Sequence, residues 1–70
     1  MTDLPEPTFR VDDHVVVVAP AAVQQGAVGT VVEVYEFSGR YRYVIDFENG
    51  TTAVFFGFEL KAVPGHREHR

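Results

Sequence analysis

Two glycine-containing dipeptides lie on either side of one alternating stretch in the middle of this chain. Ser38-Gly39 precedes residues 40–48, and Asn49-Gly50 follows them. Asn-Gly between alternating segments is the strongest short-range signal for a two-residue β-hairpin loop, because both loop positions need positive φ. The sequence therefore predicts three antiparallel strands that are joined by two tight turns of two residues each.

The rest of the body is also strand-like, because Val, Tyr, Phe, Ile and Thr dominate it and no helical periodicity extends over three turns. The predicted strands are residues 14–19, 30–37, 40–48, 51–56 and 60–63, with one helical turn at 57–59. Five short strands are too few for a sandwich of two full sheets, so we expect an all-β, bent and partly open barrel. The predicted organisation is an extended arm at 1–8, the barrel at 9–63 and a polar tail at 64–70.

The two loops set the register of the central strands, and the register assigns each side chain to a face of the sheet. The uncharged face is the predicted core, and it contains Thr30, Val32, Val34, Tyr43, Ile45, Phe47, Val54 and Phe56. The opposite face mixes charged and apolar groups, and it contains Val31, Glu33, Tyr35, Phe37, Arg40, Arg42, Val44, Asp46, Ala53 and Phe55. A β-bulge in the second strand would change this assignment.

Aromatic side chains beside arginine are typical of protein interfaces and also of base-stacking platforms. We therefore expect a partner-binding surface on the mixed face, formed by Tyr35, Phe37, Arg42, Val44 and Phe55. A partner protein, a second copy of the chain, or the N-terminal arm through Leu4 and Phe9 could cover it.

Two other groups of residues suggest chemistry but fit structural roles better. Asp12, Asp13 and His14 are typical of a turn that enters the first strand, where Asp accepts backbone N–H bonds. Residues 26–29 contain two glycines, but the Lys-Ser/Thr of a phosphate-binding loop does not follow them. These glycines are predicted to serve tight turns.

The sequence does not contain the residue patterns that metal binding and catalysis need. His66 and His69 lie in the polar tail, and the chain has no cysteine to complete a structural zinc site. No Ser, Thr or Lys is visibly paired with a base, and the interior of a small barrel is filled by its own side chains. We expect no enzyme activity, no cofactor and no bound metal.

Charge and hydropathy limit the partners. The net charge at pH 7 is −4, which disfavours binding to nucleic acid. No apolar run is long enough to span a bilayer, and residues 1–7 lack the basic and apolar regions of a signal peptide. We expect a cytoplasmic protein that binds another protein or itself and does not bind membranes.

Four stretches of the body resemble the sequence pattern of SH3-like barrels. They are residues 9–17, 26–31, 43–47 and 58–60, which read FRVDDHVVV, GAVGTV, YVIDF and FEL. The pattern is similar to that of KOW-type domains of ribosomal and transcription-elongation proteins. It also looks like the barrels of nitrile hydratase β subunits, of ferredoxin:thioredoxin reductase variable chains and of the small peripheral subunit of photosystem I.

The resemblance implies a five-stranded SH3-like barrel, a fold that serves unrelated functions. KOW domains that bind RNA carry lysines and arginines near the glycine loop, whereas residues 21–26 here are uncharged. The predicted function is therefore that of a non-enzymatic protein-interaction module or accessory subunit. The alternatives are a KOW-like nucleic-acid-binding domain and a small inhibitor or immunity-type regulator of an enzyme.

Overall fold

The computed structural model describes residues 6–63. This part of the chain forms one antiparallel sheet with the strand order β4-β3-β2-β1-β5. The strands are β1 (His14–Val17), β2 (Val28–Phe37), β3 (Arg40–Phe47), β4 (Thr52–Phe56) and β5 (Leu60–Ala62), and a one-turn 3₁₀ helix (Gly57–Glu59) connects β4 to β5. The predicted all-β class, the five strands and the helical turn are confirmed. The sheet is open, because β4 and β5 lie at its two ends.

The hairpin between β2 and β3 has the predicted two-residue loop. Ser38 and Gly39 have φ values of 55° and 81°, and Phe37 pairs directly with Arg40. Two consecutive positive φ values are those of a type I′ turn, whose twist matches that of the flanking strands. The Gly39 N–H also donates a 2.8 Å hydrogen bond to Oε2 of Glu36.

The hairpin between β3 and β4 differs from the prediction by one residue. The Phe47 N–H donates to the Thr51 carbonyl and the Gly50 N–H donates to the Phe47 carbonyl, both at 2.9 Å. Of the two predicted loop residues only Gly50 has a positive φ, of 88°. The loop is therefore a three-residue turn over 48–50 that ends in a bulge, and the predicted two-residue loop at Asn49-Gly50 is wrong.

A second irregularity lies within β2. Val34 pairs with Tyr43 as predicted, but the register shifts between Val31 and Glu33, so that Val31 and not Val32 lies opposite Ile45. Val32 is the additional residue of a β-bulge, which bends a strand and turns the side chains beyond it to the other face.

Together the bulge and the longer loop correct the predicted core. The buried side chains are Phe9, Val15, Val17, Val31, Tyr43, Ile45, Phe47, Phe55 and Leu60, with Val34 and Ala53 packed against them. The register predicted from two-residue loops assigns four residues to the core that in fact lie outside it, namely Thr30, Val32, Val54 and Phe56. Three that the same register places on the mixed face contribute to the core instead, namely Val31, Ala53 and Phe55.

The N-terminal segment is attached to this core at Tyr43. The Thr8 N–H donates a 2.9 Å hydrogen bond to the Tyr43 hydroxyl, and the ring of the adjacent Phe9 packs edge-on against the Tyr43 ring at 5.5 Å. The buried hydroxyl thus has a partner, as a buried polar group requires. Phe9 belongs to the core and does not cover the outer face, and Leu4 lies outside the described residues.

Candidate binding surface

The side chains that point away from the core form one aromatic and cationic surface on β2, β3 and β4. Tyr35 lies opposite Arg42 and Phe37 opposite Arg40, and Phe56 lies opposite Arg42 on the other side of β3. Phe58 extends the surface from the 3₁₀ turn. We call this surface the outer cluster, and it consists of Tyr35, Phe37, Arg40, Arg42, Phe56 and Phe58.

Arg42 lies at the centre of the outer cluster between two aromatic rings. Its guanidinium carbon is 5.0 Å from the ring centroid of Phe37 and 4.7 Å from that of Phe56. The Arg40 guanidinium carbon is 5.9 Å from the Phe56 ring. A cation over an aromatic face is attracted by the ring quadrupole with about 0.5–2 kcal/mol. These contacts hold Arg42 in place, although nothing in residues 6–63 hydrogen-bonds its buried Nε.

Phe58 is the most prominent apolar group of the outer cluster. Its ring stacks on that of Phe56, with centroids 5.5 Å apart and an angle of 11° between the planes, yet 72% of Phe58 remains exposed. The turn that carries it is braced, because the Phe56 N–H donates a 2.9 Å hydrogen bond to Oε1 of Glu59. The exposed ring is therefore presented by an ordered turn.

Phe58 lines two grooves. One has a volume of about 240 Å³ and is lined by Thr8, Arg40, Tyr41, Phe56 and Phe58, among others. The other, of about 380 Å³, is lined by Phe58, Glu59 and residues 18–22. An exposed aromatic ring beside concave regions is suited to act as a binding anchor, because a partner that fills either groove contacts the part of the ring that Phe56 leaves uncovered.

The structure brings together four of the five residues that the sequence predicts for partner binding. Tyr35, Phe37, Arg42 and Val44 lie on the outer side of the sheet, and Tyr35 faces Arg42 as predicted. The predicted surface position of Phe55 is wrong, because this side chain is 6% exposed and packs edge-on against Phe47 at 6.3 Å.

Three surface residues escaped the sequence analysis. Phe56 and Val54 share the outer side with Val44, which pairs with Val54 and not with Phe55. The sequence predicts a helical turn at Phe58 and includes this residue in the SH3-like pattern, but it predicts no binding role for it. The adjacent Phe55-Phe56 pair contains no signal that distinguishes the inward ring from the outward one. Phe58 was recognisable as an aromatic residue in a connecting segment, where binding residues are common.

The two guanidinium groups of the outer cluster are not neutralised within the described residues. The ion pair found in residues 6–63 joins Arg10 to Glu6 at 3.8 Å, between two exposed side chains. Glu36 and Glu59, the nearest carboxylates in sequence to the cluster, accept backbone N–H bonds. The cluster can therefore offer two cations to a partner.

Asp12 and Asp13 form the predicted turn before β1. The Asp13 N–H donates to the Arg10 carbonyl at 3.0 Å, and Oδ2 of Asp13 accepts the Arg10 N–H at 2.9 Å. Asp12 has a φ of 82°, the left-handed conformation that glycine adopts most readily. Backbone bonds of 2.7–2.8 Å from this turn to Val31 attach it to β2.

The remaining predicted sites give little further chemistry. Gly26 has a φ of 86° and closes the loop before β2 through a 2.8 Å bond to the Val17 carbonyl, which is the predicted turn role. The turn role predicted for Gly29 is wrong, because this residue lies within β2 and pairs with Val15 and Phe47. In residues 6–63 no three acidic or histidine side chains are placed to hold a metal ion. His66 and His69 lie outside the described residues.

Comparison with protein-family models, with curated proteins and with solved structures gives no match to this chain. None of the helical segments within residues 6–63 has the length and apolar character needed to cross a membrane.

Proposed function

We propose that this chain is a small non-enzymatic protein-interaction module that docks on a partner protein through the outer cluster. The strand order, in which β5 returns beside β1 after a 3₁₀ turn, is compatible with the SH3-like barrel that the sequence pattern resembles. The observation that carries the proposal is the exposed Phe58 ring stacked on Phe56 beside Arg42.

Aromatic residues and arginine are enriched at the centres of protein interfaces, where a few such residues provide most of the binding energy. Here the strands and a hydrogen-bonded turn hold them, so that little conformational entropy is lost on binding. Arg40 and Arg42 would favour a partner surface with carboxylates around an apolar centre. We therefore propose an acidic-rimmed apolar patch on a protein as the partner.

A second candidate is single-stranded nucleic acid. The observation that favours it is the combination of a flat guanidinium and an exposed ring, on both of which bases can stack. The net charge of −4 opposes it, since phosphate contacts depend on clustered lysine and arginine. Salt dependence distinguishes the two candidates, because counterion release makes nucleic-acid affinity fall steeply with salt.

The test starts from a partner that co-purifies with the tagged chain from its native host and is then titrated in purified form. Phe58→Ser should weaken binding about tenfold or more, as expected for an interface anchor. Val11→Ser is the matched control, because it removes an exposed apolar side chain outside the outer cluster. Equal affinity of Phe58→Ser and wild type would refute docking through this surface.

The nucleic-acid candidate needs its own titration, with fluorescent single-stranded DNA and RNA oligonucleotides at several salt concentrations. We expect no appreciable binding at physiological salt. Micromolar affinity that falls steeply with salt and is lost in Phe58→Ser would replace the protein-docking proposal with nucleic-acid binding.

A further inference from the structure

The side chains of β3 that point to the outer side of the sheet change sign along the strand. Arg40 and Arg42 lie at one end, and Asp46 lies at the other. Glu48 continues the acidic end, because it lines the same groove as Asp46. Val44 lies midway between the two ends. The charges on this side of β3 are therefore arranged as cations, an apolar residue and anions, in that order.

Exposed apolar side chains flank this row of charges on the neighbouring strands. Phe37 lies opposite Arg40 on β2, Val54 lies opposite Val44 on β4, and both are exposed. Val28, at the start of β2, is also exposed and lines the groove at the acidic end. Contiguous exposed apolar groups rimmed by charge usually mark an interaction site, so the outer side of the sheet is suited to contact another protein along the whole length of β3.

We propose that two copies of this chain associate through the outer sides of their sheets, about a two-fold axis that crosses β3 at Val44. The axis lies parallel to the sheets and perpendicular to the strands, so that each β3 runs antiparallel over the other. Arg40 then faces Glu48 of the second copy, and Arg42 faces Asp46. Sheets packed face to face lie about 10 Å apart, a gap that an arginine and a carboxylate side chain span together. Because every pair forms twice, the interface is self-complementary, as a closed homodimer requires.

The chain itself carries both halves of the contact that the proposed function calls for. That function needs a partner with carboxylates beside an apolar centre, and the acidic end of the outer side has this composition. The inference rests on the proposed function and names a second copy as the partner. The same axis places Val54 over Val54 and Phe37 over Val28 of the second copy, which removes these apolar groups from water.

Charge selects this orientation over the other two-fold arrangement of the same faces. With the axis parallel to β3, the two strands would run parallel and the arginines of one copy would face those of the other, which is unfavourable at an interface. In the proposed orientation, Glu33 meets its own like charge, because it lies opposite Val44 on β2 and is exposed. Removing the charge of Glu33 should therefore strengthen the dimer, whereas removing the other charges should weaken it.

The test is sedimentation velocity of the full chain over a wide concentration range, in which wild type should change from monomer to dimer. Arg40→Glu and Glu48→Lys each place two like-charge contacts in the dimer, and each should raise the dimer Kd about tenfold or more. An equal mixture of the two variants should dimerise about as tightly as wild type. In the mixed dimer the two substituted side chains meet each other at one end, and the natural pair is kept at the other.

Lys61→Glu is the matched control for Arg40→Glu. It changes the net charge by the same amount, but it lies on β5, which β2 and β1 separate from β3. The dimer Kd of this control should equal that of wild type. Glu33→Gln should lower the dimer Kd about two- to fivefold, the range of an exposed charge contact. A Kd that rises in Glu33→Gln would contradict the proposed axis.

Two results would overturn the inference. One is a wild type that stays monomeric up to about 1 mM, and the other is a mixture of Arg40→Glu and Glu48→Lys that dimerises no more tightly than either variant alone. If such a monomer binds a co-purified partner and loses it in Phe58→Ser, docking through the outer cluster stands and self-association alone is refuted. A monomer whose partner binding is unchanged in Phe58→Ser would refute both proposals.

Discussion

Tyr43 and Phe55 lie directly opposite each other on β3 and β4, and both side chains are buried. Their neighbours in the next row, Arg42 and Phe56, are also directly opposite but lie on the outer side, where the guanidinium carbon is 4.7 Å from the ring centroid. The boundary between the core and the candidate binding surface therefore passes between two consecutive phenylalanines.

The first prediction compares the two phenylalanines. Phe55→Ala removes a buried ring and should lower the free energy of unfolding by about 3–5 kcal/mol, which is most of the stability of a domain this small. Phe56→Ala removes the contacts with Arg42 and Phe58 and should cost about 1 kcal/mol. Urea denaturation measures both variants. If Phe56→Ala proves the more damaging, the register described here is wrong.

The second prediction concerns Gly29, where β2 runs close to β3. A Cβ at this position would lie 2.5 Å from Cγ2 of Ile45 and 2.9 Å from the carbonyl oxygen of Asp46. The Asp46 carbonyl belongs to the paired strand β3 and cannot move aside as a flexible side chain could. Gly29→Ala should therefore destabilise the protein by about 1–3 kcal/mol.

The control for Gly29 is the same substitution at Gly57. There a Cβ would meet its nearest atom, Cε2 of Tyr43, at 3.4 Å, so Gly57→Ala should change the free energy of unfolding by about 0.5 kcal/mol or less. Thermal melts of the two variants provide the comparison. Equal melting temperatures would contradict the close approach at Gly29.

The third prediction tests the three-residue loop between β3 and β4. Gly50 has a φ of 88° with open space around it, so Gly50→Ala should cost about 1–2 kcal/mol through backbone strain alone. Gly50→Val should cost more than 1 kcal/mol, about 1–3. Asn49 is outside the left-handed region and uses Oδ1 to accept bonds from the Thr51 N–H and hydroxyl, at 3.0 and 2.7 Å.

Asn49→Ala should therefore cost only about 0.5–1 kcal/mol, the loss of exposed hydrogen bonds. In a two-residue type I′ loop, both positions would be strained by alanine and the two substitutions would cost the same. Chemical denaturation of Gly50→Ala and Asn49→Ala separates the two loop types, and equal costs would favour the shorter loop.

The fourth prediction concerns the turn before β1. Asp12 adopts a φ of 82°, a conformation that costs a residue with a Cβ about 1–2 kcal/mol and glycine almost nothing. Asp12→Gly should therefore be more stable than Asp12→Ala by about 1 kcal/mol, although glycine loses more entropy on folding. Denaturation midpoints of the two variants give the difference, and a more stable alanine variant would contradict the assigned backbone conformation.

The elements of this fold were predictable from local chemistry. Their β-branched and aromatic residues marked β1 to β4. The ends of all five predicted strands lie within two residues of the observed ends. Ser38-Gly39 predicted the turn between β2 and β3. The register from this turn alone was enough to assign the side chains of β3 to the correct faces of the sheet. Tyr35, Phe37, Arg42 and Val44 were placed on the outer side for the same reason.

The faces of β4 and of the first half of β2 depended on the tertiary structure. At 31–32 the sequence reads Val-Val and at 55–56 it reads Phe-Phe, so shifting the register by one residue leaves each strand locally as favourable as before. The choice is made by packing in the core, where Val31 lies opposite Ile45 and the Phe55 ring packs against that of Phe47. This packing requires one bulge in β2 and one additional residue in the loop between β3 and β4. As a result, the Phe56 side chain points outward and contacts Arg42. Packing is a collective property of all five strands, whereas alternation and turn signals are properties of a few neighbouring residues.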